Sequence, residues 1–432
     1  MRARGFILQA SYRIHGGVPV VHLYGRLESG ATFLVRDHRR RPHFYVGAAD
    51  AARARTVAAV EPAPTDRVNF AGAGVCQIDV AVPGDVPAIR DRLHAAGIDT
   101  YQADVHFATS LLIDHDIKGG CEIDGDATAG TNAGTIDWTF DDPILTPADV
   151  DVRPSVLSFD IETDAKATRL LAISLYGCGA DEVLIVDPAA RSMPQRAVGF
   201  PDERSVIDAF CRRVTELDPD VLTGWNVVDF DLTVLARIAH RVRHPFELGR
   251  DAGGLRVRPA RGYFGSGSAS IPGRLVLDGI DLLRGAFVRM DDYSLDAVAR
   301  EVLGEGKALD GDVRDRAGEI FERYQNDLAG FALYARTDAR LALEIGEKLN
   351  LIALSVARSK LTGMPPDRVA ASIASFDFLY LAELHKRRIV APSVRSEDAR
   401  VYAAQAGGMY SSRSRVCTKR FGYSTSRACT RA

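Results

Sequence analysis

The sequence predicts an α/β protein, α+β overall, in which a β-rich N-terminal domain precedes a domain of alternating strands and helices. Within residues 1–148, apolar and polar side chains alternate in short runs such as Val18–Tyr24, which follows a turn signal at Gly16 and Gly17. From Ser155 onward, apolar strand-like runs alternate with helical patterns, which is typical of an α/β domain. The 432 residues have room for about two or three such domains.

Composition and charge exclude several classes of protein. The chain has 54 Lys and Arg against 57 Asp and Glu, a net charge of -3, so no overall positive field points to a nucleic-acid partner. Its six cysteines are scattered, without the paired spacing of a zinc site, which favours a reduced compartment. No segment approaches the ~18 apolar residues of a membrane span, and the N-terminal apolar run is too short for a signal peptide. We therefore expect a cytoplasmic protein without a membrane partner.

Two local basic segments are candidates for contact with a nucleic-acid backbone. The run Arg36–His43 (RDHRRRPH) lies between two predicted strands, where a solvated loop is the plainer interpretation. Residues 255–274 contain four arginines, no acid and the aromatic pair Tyr263 and Phe264, and are predicted to form a loop or hairpin. A plain surface insertion remains the alternative for this second segment.

The most informative strand is Val156–Asp164, VLSFDIETD. Side chains two residues apart on a strand share a face, so Asp160 and Glu162 point the same way. Two carboxylates a few Å apart repel by about 1–4 kcal/mol in the effective dielectrics of protein surfaces and clefts. A divalent cation, which prefers hard oxygen ligands, would offset that repulsion. The alternative is that Asp-x-Glu at a strand end is only a turn and helix-cap signal.

Helical patterns carry further acids toward the core. Helices are predicted from Asp202 to Leu217, from about Asp229 and from about Asp327 to Ala357, and Ser294 is the expected N-cap of another helix. Asp231 lies in the first turn of the second of these helices, where the helix dipole favours an anion and N-terminal capping is the plainer interpretation.

The predicted helix from Asp327 also carries an inward-facing acid. Its apolar stripe includes Tyr334, and Asp338 falls on the same stripe one turn later. An isolated inward carboxylate is costly, so Asp338 is expected to have a partner.

Three of these stretches resemble the exonuclease motifs of a known family. SFDIETD, GWNVVDFD and YARTD are similar, in order and type, to the three exonuclease motifs of the family B DNA polymerases, whose 3′→5′ exonucleases belong to the DEDDy class. The stretches LDGIDLLRGAF, YSLDAVAREVLGEGK and ASIASFDFLYLAELHKRRIVAP resemble the bacterial DNA polymerase II branch of that family. The resemblance covers roughly residues 1–408.

The resemblance implies a domain organisation. It assigns 1–148 to the β-rich N-terminal domain, completed by 361–392, and 149–360 to an RNase H-like exonuclease domain with a mixed sheet. It assigns 393–408 to the start of the polymerase palm, which leaves 409–432 as an aberrant tail.

The resemblance also implies a chemistry for the acids. It is two-metal hydrolysis of a phosphodiester with two divalent ions, Mg²⁺ or Mn²⁺. Asp160 would bridge the metals, and Glu162 and Asp338 would hold the ion that activates water. Asp231 would support the second ion, and Tyr334 would orient the nucleophilic water through its hydroxyl.

Contacts to the substrate follow from the same resemblance. Thr163 and Asn226 correspond to residues that grip a frayed primer strand by polar contacts, and Phe230 to one that packs against a base. Their plainer alternatives are an N-cap, a loop Asn and a core Phe. The implied substrate is single-stranded or primer–template DNA, with a sliding clamp as a partner of the full-length enzyme.

The chain departs from the family near Gly407 and Gly408. Neither the DFxSLYPS strand nor the DTDS motif, whose aspartates bind the nucleotide-bearing metals in this family, occurs in the sequence. From Met409 to Ala432 there are six Lys or Arg, eight Ser or Thr and no acid, a composition that predicts disorder. We expect a truncated product, read in a shifted frame from Met409, that retains the proofreading exonuclease but adds no nucleotides. The alternatives are a stand-alone exonuclease acting on RNA ends and a non-catalytic DNA-binding fragment.

Overall fold

The computed structural model describes residues 1–130, 135–258, 260, 267–306, 316–368 and 372–394. Three sequence predictions fall outside these ranges. They concern the aberrant tail at 409–432, residues 395–408 of the expected palm start, and the aromatic pair Tyr263 and Phe264.

Strands and helices alternate along most of the described chain. The strands are, in chain order, β1 (Arg2–His15), β2 (Val18–Leu27), β3 (Thr32–Asp37), β4 (His43–Gly47), β5 (Pro62–Val68), β6 (Gly74–Asp79), β7 (Thr100–Tyr101), β8 (Gly120–Asp124), β9 (Ala127–Ala129), β10 (Trp138–Asp141), β11 (Ile144–Pro147), β12 (Val156–Thr163), β13 (Leu170–Gly177), β14 (Ala180–Val186), β15 (Ala197–Phe200), β16 (Val221–Gly224), β17 (Arg256–Arg258), β18 (Ser268–Ser270) and β19 (Leu275–Asp278). The α-helices are α1 (Ala51–Ala58), α2 (Val86–Ala95), α3 (Phe107–Asp114), α4 (Glu203–Leu217), α5 (Thr233–Arg241), α6 (Gly279–Gly285), α7 (Leu295–Val302), α8 (Arg316–Asn326), α9 (Leu328–Lys348), α10 (Leu351–Thr362) and α11 (Ser372–Lys386).

The N-terminal region is β-rich, as predicted, and its main element is a seven-stranded sheet. The strand order is β11-β8-β1-β2-β3-β10-β9. Its longest pairing is the antiparallel hairpin of β1 and β2, which turns at Gly16 and Gly17. Both glycines have positive φ, 56° and 82°, a conformation that costs glycine little because it has no Cβ. The local turn signal in the sequence therefore sets this hairpin.

A six-stranded mixed sheet follows, with the order β15-β14-β13-β12-β16-β19. Strand β12 pairs antiparallel with β13 and parallel with β16, and β16 pairs parallel with β19. Because successive side chains of a strand leave opposite faces, the sheet packs on both sides. Leu184 of β14 lies in a core cluster with Phe210 of α4 and Leu235 of α5. Its neighbours Val183 and Ile185 lie in a separate cluster with residues of α9. Helices therefore cover both faces, and the predicted α/β class is confirmed.

The chain forms two compact units. One comprises Met1–Pro42, Val80–Pro83 and Val105–Arg388, and it contains both of the large sheets. The other comprises His43–Asp79, Gly84–Asp104 and the described residues from Ile389 to Val394. This second unit is built on a four-stranded sheet, β5-β6-β4-β7, and a core of Tyr45, Val75 and Val390. The domain boundaries given in the sequence analysis follow the family resemblance and stay a prediction.

Two helix predictions from the sequence need correction. The single long helix predicted from Asp327 to Ala357 is two helices, α9 and α10, because Asn350 between them adopts the left-handed conformation with φ 53°. The helix predicted to start near Asp229 begins instead with a π-helical turn, Val227–Leu232, that runs into α5.

The predicted start of another helix is confirmed. Ser294 caps α7, with its hydroxyl accepting a hydrogen bond from the amide of Ala297. No helix of the described ranges is long and apolar enough to cross a membrane.

Candidate metal centre

Strand β12 presents two acids from the middle of the six-stranded sheet. Phe159 and Ile161 are buried in the core cluster with α4 and α5. Asp160 and Glu162, on the other face, lie opposite Ser174 and Ala172 of β13. Glu162 is buried, whereas Asp160 is partly exposed. The apolar residues thus anchor the strand and fix the direction of the two carboxylates.

Helix α9 brings a third acid to the same place. The N-cap of the helix is Asp327, whose side chain accepts a hydrogen bond from the amide of Gly330. The helix packs against β12 and β13, and its buried Phe331 shares a core cluster with Ala172 of β13. Asp338 lies on this buried side. One carboxylate oxygen each of Asp160, Glu162 and Asp338 lies within 4.8 Å of the other two.

The chemistry of this group fits a divalent cation. Three carboxylates that share such a small volume repel one another when ionised, and burial of Glu162 and Asp338 removes the water that would screen the repulsion. Mg²⁺ and Mn²⁺ are hard cations that bind carboxylate oxygens. A bound cation would therefore turn the unfavourable interaction into a favourable one.

Asp231 lies close to this group but is held differently. It is in the π-helical turn, only 1% of its surface is exposed, and its Oδ1 accepts a hydrogen bond from the amide of Ile161 at 3.0 Å. Burial, followed by the charge of Asp160, raises the pKa of Asp231 well above its ordinary value. The structure thus places Asp231 against β12, outside the three carboxylates that meet within 4.8 Å. π-Helical turns occur frequently at functional sites.

Tyr334 precedes Asp338 by one turn of α9, on the same side of the helix. Its side chain is buried, with 3% of its surface exposed. Tyr334 is therefore positioned by the same helix that positions the third carboxylate. A buried tyrosine normally places its hydroxyl against a polar group.

Two of the three residues expected to contact a substrate strand, Thr163 and Phe230, are next in sequence to Glu162 and Asp231, and the third, Asn226, precedes the π-helical turn. Thr163 ends β12, just after an irregularity in the pairing with β13, and its hydroxyl donates to the backbone oxygen of Asp164. Asn226 is exposed, with φ 60°, and its side chain caps no helix. Phe230 is 38% exposed, which is uncommon for a core Phe. The plainer alternatives of an N-cap for Thr163 and a core Phe for Phe230 do not match these positions, whereas that of a loop Asn fits Asn226. The substrate contacts of all three residues stay predictions.

A cavity beside the π-helical turn was not foreseen from the sequence. It has a volume of about 320 Å³, and its lining includes Asn226, Asp229 and Asp278. Asp278 ends β19 and caps α6, accepting a hydrogen bond from the amide of Ile280 at 2.9 Å. Burial, followed by the charge of Asp281, raises the pKa of Asp278 to about 6. The available sequence signal was LDGID, in which an acid follows an apolar run and precedes a helix.

The two basic segments have different surroundings. In the run Arg36–His43, Arg36 pairs with Asp141, Arg39 with Asp37 and Arg40 with Asp114, so these charges have protein partners. This pairing favours the plainer interpretation for that run.

In the second segment, β17 and β18 form a two-stranded antiparallel hairpin, within which the structure describes only residues 256–258, 260 and 267–270. For the paired residues, the prediction of a loop or hairpin is therefore resolved in favour of a hairpin.

Comparison with known proteins bears on the acids just described. Residues 98–298 match the family model described as DNA polymerase family B, exonuclease domain. Residues 98–298 thus resemble the exonuclease domain of family B DNA polymerases. This domain implies a nuclease activity that depends on metal, and the three-carboxylate group of Asp160, Glu162 and Asp338 is consistent with it.

Curated relatives point to the same family. The chain is 34% identical over 308 residues to DNA polymerase II of Escherichia coli (strain K12), a match covering 70% of this chain and 38% of the relative. It is 27% identical over 432 residues to a DNA polymerase of Thermococcus sp. (strain 9oN-7), covering 93% of this chain and 49% of the relative. The chain thus spans half or less of the length of these relatives.

A solved structure supports the fold. The family B DNA polymerase of the hyperthermophilic archaeon Pyrobaculum calidifontis matches 91% of this chain and 52% of its own length, with a TM-score of 0.72 and 24% identity. Since the identity is low, this likeness bears on the fold alone.

Proposed function

We propose that this chain is the proofreading 3′→5′ exonuclease part of a family B, DNA polymerase II-like enzyme and hydrolyses the 3′-terminal phosphodiester of DNA. The observation that carries the proposal is the convergence of Asp160 and Glu162 from a strand with Asp338 from a helix distant in sequence, within 4.8 Å. The family match at residues 98–298 supports it, because it covers the first two of these acids and Asp231.

The proposed roles divide between metal binding and water positioning. Asp160, Glu162 and Asp338 would hold divalent ions, with Asp231 supporting a second ion from its buried position. Such ions stabilise the charge that develops on phosphate oxygens and lower the pKa of a bound water. Tyr334, one turn from Asp338, would hold the attacking water in line through its hydroxyl.

The substrate strand would lie along the exposed edge of the site. The proposed contacts are polar ones from Thr163 and Asn226, and stacking of a terminal base on Phe230, whose ring is 38% exposed. Frayed or single-stranded ends fit this arrangement, because a base must be unpaired before it can stack on a side chain. The sliding clamp as partner and the cytoplasmic location stay predictions.

The decisive experiment is degradation of a 3′-labelled DNA oligonucleotide with Mg²⁺. Asp160→Ala/Glu162→Ala should lower the rate about 10²- to 10⁴-fold, because metal stabilisation of the transition state contributes several kcal/mol. The matched control is Asp149→Ala/Asp151→Ala, which removes two acids at the same spacing whose side chains are 91% and 100% exposed. Equal rates for the two double variants would reject the catalytic proposal.

The same assay separates the rival functions. A labelled RNA strand of matching sequence should be degraded more slowly than DNA, whereas a stand-alone RNA-end exonuclease would prefer the RNA. A non-catalytic DNA-binding fragment would bind the DNA strand but leave it intact with Mg²⁺ and with Mn²⁺.

A further inference from the structure

The cavity beside the π-helical turn, called here the Trp225 cavity, lies at the carboxyl ends of two parallel strands. Strand β16 ends at Gly224 and β19 at Asp278, which are paired in register. The cavity volume of about 320 Å³ is near the lower end of the ~300–1,000 Å³ of ligand pockets. In open α/β sheets, ligands bind outside the carboxyl ends of the strands. Its position and size therefore suit one small ligand group.

Two aromatic side chains that line the Trp225 cavity are held in place by the backbone. The indole nitrogen of Trp225 donates to the backbone oxygen of Tyr293 at 2.9 Å. The hydroxyl of Tyr293 donates in turn to the backbone oxygen of Val288 at 3.0 Å. The guanidinium of Arg284 lies 5.0 Å from the centre of the Tyr293 ring. Fixed aromatic and guanidinium planes are the surfaces on which unpaired bases stack.

The charged groups of the cavity are three carboxylates and one guanidinium, that of Arg284, so acidic groups outnumber the basic one and favour a base over a phosphate. Asp229, Asp278 and Asp281 line it, and ionised carboxylates only accept hydrogen bonds and repel a phosphate. These three acids are not a metal site of the kind proposed above. Among the described residues, only Asp160, Glu162 and Asp338 have ligand oxygens that all lie within 4.8 Å of one another. Cytosine, adenine and guanine carry amino groups that donate to a carboxylate, whereas the polar edge of thymine is mainly an acceptor.

The cavity adjoins the proposed exonuclease centre. Asn226 and Asp229 line the cavity, and Phe230 and Asp231 follow directly in the same turn. The amide of Val228 in that turn lies 3.4 Å from a carboxylate oxygen of Asp278. The same short turn therefore has residues in both places, Asn226 and Asp229 at the cavity and Asp231 against β12.

We propose that the Trp225 cavity binds one unpaired nucleobase of a DNA strand held at the exonuclease centre, and that it prefers an amino-bearing base over thymine. This inference rests on the proposed function for the identity of the strand. It adds a base-selective subsite made by Trp225, Tyr293, Arg284 and Asp281 to the phosphodiester chemistry of the neighbouring acids.

The test measures binding without hydrolysis. Fluorescence anisotropy is recorded for 5′-labelled oligo(dT) strands that carry a single dC at each of the last four positions in turn, with Ca²⁺ replacing Mg²⁺ and intact strands verified on a gel. At one position dC should bind about 5- to 10-fold more tightly than dT, the gain expected for one net hydrogen bond. Asp281→Asn should reduce that preference to within twofold, because an amide can donate to thymine as well as accept.

A second variant tests the aromatic wall. Tyr293→Leu should weaken binding of every strand at least about fivefold, as expected for loss of a stacking partner. Phe376→Leu is the matched control, since Phe376 is an exposed aromatic on α11. Melting temperatures of all variants report whether each remains folded.

The outcomes separate this inference from the proposed function. Equal affinity for dC and dT strands at all four positions, or a preference that survives Asp281→Asn, overturns the subsite. So does equal binding by Tyr293→Leu and Phe376→Leu. Because none of these measurements uses hydrolysis, a base preference in a protein that fails to degrade DNA with Mg²⁺ would support the subsite and reject only the nuclease proposal.

Discussion

The acids of the proposed metal centre have unequal surroundings. Asp160 is partly exposed at the edge of the site, whereas Asp231 is almost fully buried and has an amide donor in Ile161. Burial, followed by the Asp160 charge, raises the pKa of Asp231, so its ionised form is unfavourable in the absence of a cation. A cation bound at this proposed centre would favour ionisation of Asp231 and release a proton.

Tyr334 is the residue whose proposed role is most open to a clean substitution. Tyr334→Phe keeps the buried ring and removes only the hydroxyl, so the fold should be retained. We expect the rate of DNA hydrolysis to fall about 10- to 100-fold, since misplacing an attacking group can cost about 100-fold. The Mg²⁺ concentration for half-maximal rate should stay within twofold, because no carboxylate changes. Single-turnover rates across a Mg²⁺ titration measure both quantities.

The control for this substitution is Tyr380→Phe, which removes a hydroxyl from an exposed tyrosine on α11. It should leave the rate unchanged. If Tyr334→Phe behaved like Tyr380→Phe, the water-positioning role would be rejected.

At the scale of elements, buried ion pairs join the N-terminal hairpin to the six-stranded sheet. Arg26 of β2 donates to Asp220, which is fully buried and immediately precedes β16. Arg250, itself 1% exposed, also bonds Asp220, and its guanidinium binds Asp218 as well. Because a buried charge without its partner is costly, these pairs fix how the β2 strand meets the start of β16.

Asp251 also binds the N-terminal hairpin, through an ion pair with Arg13 and a hydrogen bond from the Tyr24 hydroxyl. Its charge should make the stability of the fold depend on pH. Burial alone would raise its pKa, but hydrogen bonds to His22 and Tyr24 and the charge of Arg13 outweigh burial and lower the pKa of Asp251 to about 2. A carboxylate with a lowered pKa stabilises the folded state above its unfolded pKa, and that stabilisation is lost as the pH falls through the folded pKa. The relevant window therefore runs from pH about 4 down to about 2.

Asp251→Asn should lower the free energy of unfolding at pH 7 by about 1–2 kcal/mol, with allowance for partial screening of a side chain that is 13% exposed. The difference in free energy of unfolding between variant and wild type should shrink as the pH falls from 4 toward 2, since the wild-type carboxylate then becomes neutral, as the Asn amide always is. Urea unfolding over a pH series measures it, with the exposed Asp149→Asn as control. A difference that stays constant down to the lowest pH at which both proteins fold would contradict the assignment.

At the scale of the whole molecule, the sequence matches part of longer enzymes, and the match includes an exonuclease domain. The chain covers 38% of Escherichia coli DNA polymerase II and 49% of the Thermococcus relative. The 432 residues contain neither DFxSLYPS nor DTDS, the motifs that the family resemblance associates with nucleotide addition. We therefore expect this chain to hydrolyse DNA without extending it.

A primer–template with all four deoxynucleotides and Mg²⁺ tests this expectation. We expect the 432-residue chain to shorten the primer without lengthening it, because neither motif that the family resemblance associates with nucleotide addition occurs in its sequence. Gel analysis of a 5′-labelled primer measures the products. Escherichia coli DNA polymerase II is the positive control, and any extended primer made by this chain would refute the expectation.

The sequence by itself determined the local parts of the site. Alternation along a strand put Asp160 and Glu162 on one face, and helical spacing put Tyr334 and Asp338 one turn apart. The cap at Ser294 was also readable, because capping depends on residues only a few positions apart. These features depend on periods of two to four residues, which a single sequence contains in full.

Only the tertiary structure decided how these parts meet. Packing of α9 on β12 brings Asp338 within 4.8 Å of the strand acids, and the π-helical turn sets Asp231 against the amide of Ile161. The left-handed Asn350 that divides the predicted long helix had no comparable local pattern, and LDGID marked a strand-to-helix junction but not the cavity that Asp278 borders. Strand register and helix packing join residues far apart in the chain, and no short-range period encodes them.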